Sequence, residues 1–272
     1  PLAGAVCVEA DSGGHTDQGR PYSIFPEILR LREELHRQHL YSEQVFVGAA
    51  GGIGAPEAVA ASFMMGADFV MTGSINQCTV EAGTSNAAKN ILEKISVRDT
   101  SYAVSGDLFE MGSKIQIVKK GSLFPGRANN LYEAYQKYKS WDEIPSKLRA
   151  NIENDYFKRS VEEVWLAVQD YYGHFGETKV EQLRKDPRAK LAALFKWYFA
   201  YSSREAMAGG DDVTNYQIHC GPALGAFNAW VKGTVLEPWR ERRVGEIAEV
   251  LMRAAADVLN RQFSGIITDP AP

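Results

Sequence analysis

The chain holds 272 residues, 45% of them apolar and 24% charged, which excludes a disordered, collagenous or disulfide-scaffold protein. There are 30 lysines and arginines against 34 acidic residues, giving a net charge of -4 and a pI of about 5.8. Residues 1–126 carry 10 basic and 14 acidic side chains and the remainder 20 of each, so neither half hides a basic domain suited to nucleic acid. At roughly 150 residues per domain, the length predicts two domains or one with an appendage.

Cys7, Cys78 and Cys220 lie far apart. Such spacing fits reduced thiols better than a disulfide framework or a CxxC metal site. The sequence holds no run of 18 apolar residues, and its N-terminus lacks the basic stretch of a signal peptide. A cytoplasmic protein with no membrane partner is the expectation. The chain starts at Pro1 and runs at once into Ala5-Val6-Cys7-Val8-Glu9-Ala10, which reads as a buried strand and suggests that an N-terminal portion precedes it.

A turn-forming cluster from Asp11 to Thr16 follows that strand. The spacing then predicts a helix over about 24–39, with Pro26 in its first turn and Ile28, Leu29, Leu31 and Leu35 as its apolar stripe. Val45 to Ala50 is the next strand; after Gly51-Gly52-Ile53-Gly54, Pro56 opens an alanine-rich helix through Phe63. Asp68 to Thr72 is a third strand, leading into Gly73-Ser74. This βαβαβ order, with glycines at the strand ends, predicts a parallel sheet covered by helices. Lys114 to Val118 is the last strand expected. Beyond Gly126 the pattern turns helical and aromatic, with helices expected over about 127–139, 145–172, 188–208, 222–233 and 243–262 and a frayed tail from Ser264.

Ligands of parallel α/β folds collect at the C-terminal ends of strands, where three clusters fall. Gly51-Gly52-Ile53-Gly54 leads into a helix, and its N–H groups at the positive end of the dipole can bind phosphate without a cationic side chain. Gly73-Ser74 adds more N–H donors and a hydroxyl. One such turn would read as a tight connection; the pair on consecutive strands favours phosphate. Neither is a P-loop or a GxGxxG, which disfavours ATP and a Rossmann NAD site. With no GxSxG elbow, a serine hydrolase is excluded as well.

The third cluster is Ser12-Gly13-Gly14-His15, whose glycines would let the backbone approach a flat ligand. His15 reads either as a proton-transfer group in the pocket or as a hydrogen-bonded structural residue beside Asp11 and Asp17. His36 and His39 read as solvated and His174 and His219 as structural; no metal is expected. Trp165, Trp197, Tyr198, Phe199, Tyr201 and Trp230 do not alternate with a basic face, so core packing or a hydrophobic acyl channel explains them better than base stacking. The segment Gln217 to Asn228 is too glycine-rich for a plain helix, and the residues alone give no reason.

Three strings, Val8 to Asp17, Gly48 to Gly54 and Gly66 to Gln77, resemble the FMN-dependent nitronate monooxygenase and enoyl reductase superfamily. Within it, Phe109-Glu110-Met111-Gly112, the helical second half and Cys220 to Asn228 resemble the PfaD-type trans-acting enoyl reductases of polyunsaturated fatty acid and polyketide synthases. The resemblance covers nearly the whole chain. It implies an α/β fold: the C-terminal strands and helices of a TIM (β/α)8 barrel over 1–126, a helical subdomain over 127–263 and a flexible tail over 264–272. A whole barrel needs eight strands and about 250 residues, so five strands would lie outside this sequence.

The resemblance also implies FMN as cofactor and NADPH as hydride donor. Ser12, Gly13 and Gly14 would line the flavin; Gly51, Gly52, Gly73 and Ser74 would hold its phosphate; Ala50 and Ile53 flank that turn as further cofactor contacts. His15 matches the active-site histidine. Where the related monooxygenases usually carry Gly-Thr, this chain has Gly73-Ser74, which keeps the hydroxyl. The implied reaction is reduction of a 2-enoyl thioester on an acyl carrier protein, in company with other synthase subunits. Hydride would pass from the flavin to the β-carbon and a proton to the α-carbon. Nitronate oxidation by the same flavin and histidine is the alternative among enzymes, and a non-catalytic scaffold docking carrier proteins is the alternative outside them. A homodimer is compatible with all three.

Overall fold

The computed structural model describes residues 1–264; the tail expected to fray lies, from 265 onward, outside them. In chain order the elements are β1 (Ala5–Glu9), β2 (Gly14–Thr16), α1 (Pro21–His39), β3 (Phe46–Ala50), α2 (Pro56–Met64), β4 (Phe69–Met71), α3 (Asn86–Leu92), β5 (Thr100–Val104) and β6 (Lys114–Val118). There follow α4 (Phe124–Lys137), α5 (Ser146–Asn151), α6 (Val161–Gly173), α7 (Glu177–Lys185), α8 (Pro187–Ala208), α9 (Pro222–Trp230) and α10 (Val244–Phe263). The chain forms two compact units, one from Pro1–Thr100 together with the stretch from His219 onward, the other from Ser101–Ile218.

In the first unit β1, β3 and β4 form a parallel sheet in the order β1-β3-β4, as the βαβαβ reading requires. Phe69 pairs with Gly48, and a Cβ at Gly48 would lie 2.2 Å from the Phe69 ring. Only glycine leaves room for that ring. The Asp68 carboxylate accepts the Val47 N–H at 2.7 Å and an Arg32 N–H at 2.9 Å, tying α1 to the sheet. The first strand departs from expectation. Ala5, Val6 and Cys7 are exposed rather than buried, because β1 is the edge of this sheet and gains cover from α1 on one side only. The first helix starts at Pro21, with Pro26 inside it; a proline at the first position is what sets that earlier start. His36 is not simply solvated, since its Nε2 accepts the Val45 N–H at 3.1 Å.

The second unit pairs β5 with β6 and packs helices around an aromatic core. Phe109 is fully buried, with ring centroids 5.2 to 6.2 Å from those of Tyr132, Tyr135, Phe195 and Phe199. Tyr198 and Phe199 lie in this core and Trp165, Trp197 and Tyr201 pack against it, so core packing accounts for them. The buried Asn215 accepts from Tyr198 at 2.6 Å and donates to Asp212 at 2.6 Å. The single helix expected over 145–172 is three pieces. After α5 a π-helical turn (Ile152–Phe157) ends at Lys158, whose φ of 57° is left-handed, and Ser160 restarts the helix with Glu163 in a reciprocal capping box.

The chain does not divide at 127 into barrel and helical parts. The last two helices return to the first unit, where the apolar stripe of α10, with Ile247 and Leu251 buried, packs on α2. Among the described residues no helix is long and apolar enough to cross a membrane.

Candidate functional site

The ends of β1, β3 and β4 and the stretch from His219 to Pro222 converge in the first unit. Ala10 donates its N–H to the Ala50 carbonyl at 2.9 Å, carrying the β1–β3 pairing past Glu9. Gly51 then turns with φ 88°, and a Cβ there would lie 2.5 Å from the Ala10 carbonyl oxygen. Both the left-handed backbone and the close approach demand glycine. Ile53 is buried, and a Cβ at Gly54 would lie 2.0 Å from the Ala223 carbonyl oxygen. The two outward glycines differ. Gly52, with φ 72°, and Gly73 face open space, for a Cβ at either would meet nothing within 4 Å. Four residues beyond Gly52, α2 begins at Pro56 with no side-chain cap on its N-terminus.

The turn after β1 is braced by its own side chains. Asp11 accepts the Thr16 hydroxyl at 2.7 Å, Thr16 Oγ1 accepts the Gln18 N–H at 2.9 Å, and Ser12 donates to Glu9 at 2.6 Å. Gly13 differs from its sequence reading. A Cβ there would lie 2.5 Å from the Gly221 nitrogen and 2.6 Å from Ser74 Oγ, so the chain itself approaches Gly13 closely. Ser74 is likewise engaged: it is buried, and its hydroxyl oxygen accepts the Gly221 N–H at 2.9 Å. One hydroxyl thus fastens the 219–222 stretch to the end of β4. Next to it burial pushes the Cys220 thiol up to about 12 and the Cys78 thiol to about 11, leaving both protonated and unreactive.

Those contacts explain the segment that the sequence left unread. The missing Cβ at Gly13 leaves room for the Gly221 nitrogen, and a Cβ at Gly225 in α9 would lie 2.2 Å from the Ser96 carbonyl carbon. Asn228 Nδ2 donates to the Leu92 and Ile95 carbonyls, each at 2.9 Å. The same segment brings in a side chain that sequence reasoning missed. His219 stands edge-on to His15 with ring centroids 6.3 Å apart. Its Nδ1 would be 3.5 Å from a Cβ at Gly14, whose φ is 97°. His15 is exposed and His219 half-buried. The signal available was the neighbouring Cys220-Gly221-Pro222 string. Among the described residues no group of three histidine, cysteine or acidic side chains could hold a metal ion.

Residues 138–216 match the family described as acyl-carrier-protein S-malonyltransferase, inserted helical domain. Over 267 residues, 98% of its length, the chain is 51% identical to the polyketide biosynthesis protein PksE of Bacillus subtilis (strain 168), covering 34% of it. It is 43% identical over 243 residues, 88% of its length, to one component of the polyunsaturated fatty acid synthase of a Thraustochytrium species, covering 16% of that protein. The enoyl reductase domain of MlnA, from the macrolactin biosynthesis cluster of Bacillus amyloliquefaciens, superposes with a TM-score of 0.91 at 43% identity. That match covers 97% of this chain and 59% of the other. FabK from Thermotoga maritima superposes with a TM-score of 0.54 at 18% identity, covering 97% of this chain and 58% of that one, a likeness of fold alone. The chain is therefore similar to proteins of polyketide and polyunsaturated fatty acid synthesis and spans about a third or less of these curated relatives.

Proposed function

We propose that this chain supplies the flavin-phosphate cradle and active-site histidine of an FMN-dependent enoyl reductase, as the C-terminal part of a TIM barrel with a helical insertion. The observation that carries the reading is the pair of outward glycine turns, at Gly52 and Gly73, on neighbouring strands of the unit that also holds His15. The residues present fit a phosphate. Substitution by any larger side chain would fill the space in front of two backbone turns, and the α2 dipole favours an anion there. The similarity to the MlnA enoyl reductase domain supports the choice of reaction.

When bound, FMN supplies the two-electron hydride chemistry that protein side chains cannot. Overall, an enoyl thioester, NADPH and a proton become the saturated thioester and NADP+. Gly52 and Gly73 would hold the cofactor's phosphate through backbone N–H groups. His15, exposed beside the Gly13-Gly14 turn, exchanges protons with solvent and steers one to the α-carbon. The thioester is carried by an acyl carrier protein.

The test uses crotonyl-pantetheine as a minimal substrate. The purified protein should be yellow and should oxidise NADPH when crotonyl-pantetheine is added. A colourless protein that binds no FMN, or a yellow one that instead consumes oxygen with an alkyl nitronate, overturns the reading.

A further inference from the structure

Beside His15 stands a second histidine that neither the sequence motifs nor the reaction scheme above employs. His219 comes from a distant part of the chain and is delivered by a fixed segment. Gly221 two residues on is fastened to Ser74 Oγ at 2.9 Å, and the glycine-only approach at Gly13 presses the same stretch against the turn that bears His15. The two rings lie edge to face, 6.3 Å between centroids. An imidazole N–H donates over about 2.9 Å, so two rings this close to each other can each reach one of two neighbouring atoms of a single small group lying beside them. In an enoyl thioester the carbonyl oxygen and the α-carbon are joined to the same carbon. Adding hydride at the β-carbon drives negative charge onto that oxygen before the α-carbon takes its proton.

We propose that His219 is the second catalytic histidine, donating a hydrogen bond to the thioester carbonyl oxygen while His15 delivers the proton to the neighbouring α-carbon. The burial of the two residues sets this division of labour. A donor that stabilises developing charge works best when fixed and partly shielded, which describes the half-buried His219 on its fastened segment. A proton donor must be recharged every turnover, which suits the exposed His15. This assignment rests on the enoyl reductase reading and adds to it the substrate atom that His219 binds.

The experiment uses acetoacetyl-pantetheine, whose enolate carries charge on the thioester oxygen and absorbs in the near ultraviolet without any turnover. The parent protein should strengthen the enolate band on binding. His219→Phe, which keeps a ring but no donor, should lose that gain and slow crotonyl-pantetheine reduction by roughly 100-fold. His219→Gln, which keeps an N–H, should retain part of both, showing that the donor and not the fold was lost. His15→Ala should keep the band and lose rate. No band with the parent, full retention in His219→Phe, or equal loss in His15→Ala and His219→Phe overturns the assignment. A parent that shows the band yet oxidises no NADPH sinks the reductase reading while leaving His219 as the oxygen-binding donor.

Discussion

In the first unit close approach is made by backbone against backbone: Gly51 against Ala10, Gly54 against Ala223, Gly225 against Ser96. In the helical unit the same work falls to large rings, with Phe109, Phe124, Phe195 and Tyr198 fully buried and packed on one another. The first unit is accordingly sensitive to atoms added and the second to atoms removed. The glycine contacts also hold the ends of three strands and the His219 segment in register, so the packing of the first unit and the geometry of its site are one problem. The helical unit has close approaches at glycine too, for a Cβ at Gly106 would lie 2.7 Å from Phe199 Cβ, but they are made to side chains rather than to backbone.

This contrast sets the order of the expected effects. Phe109→Ala removes a ring at the centre of four aromatic contacts and should cost about 3 to 5 kcal/mol in guanidinium unfolding. A loss below about 1 kcal/mol would show that the aromatic core is not what stabilises this unit. Gly225→Ala adds one carbon 2.2 Å from the Ser96 backbone, which cannot step aside as a side chain could. A cost of about 1 to 3 kcal/mol is expected, and a neutral result would mean that α9 can slide away from residues 96 and 97.

Ser74→Ala leaves the buried Gly221 N–H without its acceptor and should cost about 1 to 3 kcal/mol. Amide hydrogen exchange should rise selectively over residues 219–222; a uniform rise would place the anchor of that segment elsewhere. The smallest effect is the acid response of Asp212. Burial alone would raise its carboxyl, but hydrogen bonds from Thr214, Asn215 and Tyr201 outweigh that and hold it below the usual carboxylate range. Its folded value thus lies below the unfolded one. The stabilisation is present above the unfolded range and is lost as pH falls through the folded value. Unfolding followed from pH 6 downward should show a shallower acid loss in Asp212→Asn than in the parent.

Much of the first unit was legible in the sequence because it depends on short-range signals. Apolar runs ending in glycine gave β1, β3 and β4, and Pro56 gave the start of α2. The strands β2 and β5 escaped because neither is a continuous apolar run: β2 is Gly14-His15-Thr16 and β5 opens on Thr100-Ser101. In the helical unit the capping box at Ser160 and Glu163 restarts the helix, but the continuous apolar pattern across it concealed the break. The return of α9 and α10 to the first unit was not legible at all. Periodicity reports that a helix has an apolar face, not which surface covers it. The approach of His219 to His15 was hidden for the same reason: the two lie over 200 residues apart in sequence, and the stretch that bears His219 is fastened by a hydroxyl-to-amide contact at Ser74.

The central claim is that the two outward glycine turns hold the phosphate of a flavin. Gly73→Val tests it most directly, because a side chain at 73 meets nothing within 4 Å in the chain and no positive φ is needed there. The substitution should leave the thermal midpoint of the FMN-free protein unchanged. FMN affinity, measured by fluorescence titration, should weaken by about 100-fold, the equivalent of one or two charge-assisted hydrogen bonds. FMN bound by Gly73→Val as tightly as by the parent would contradict the account.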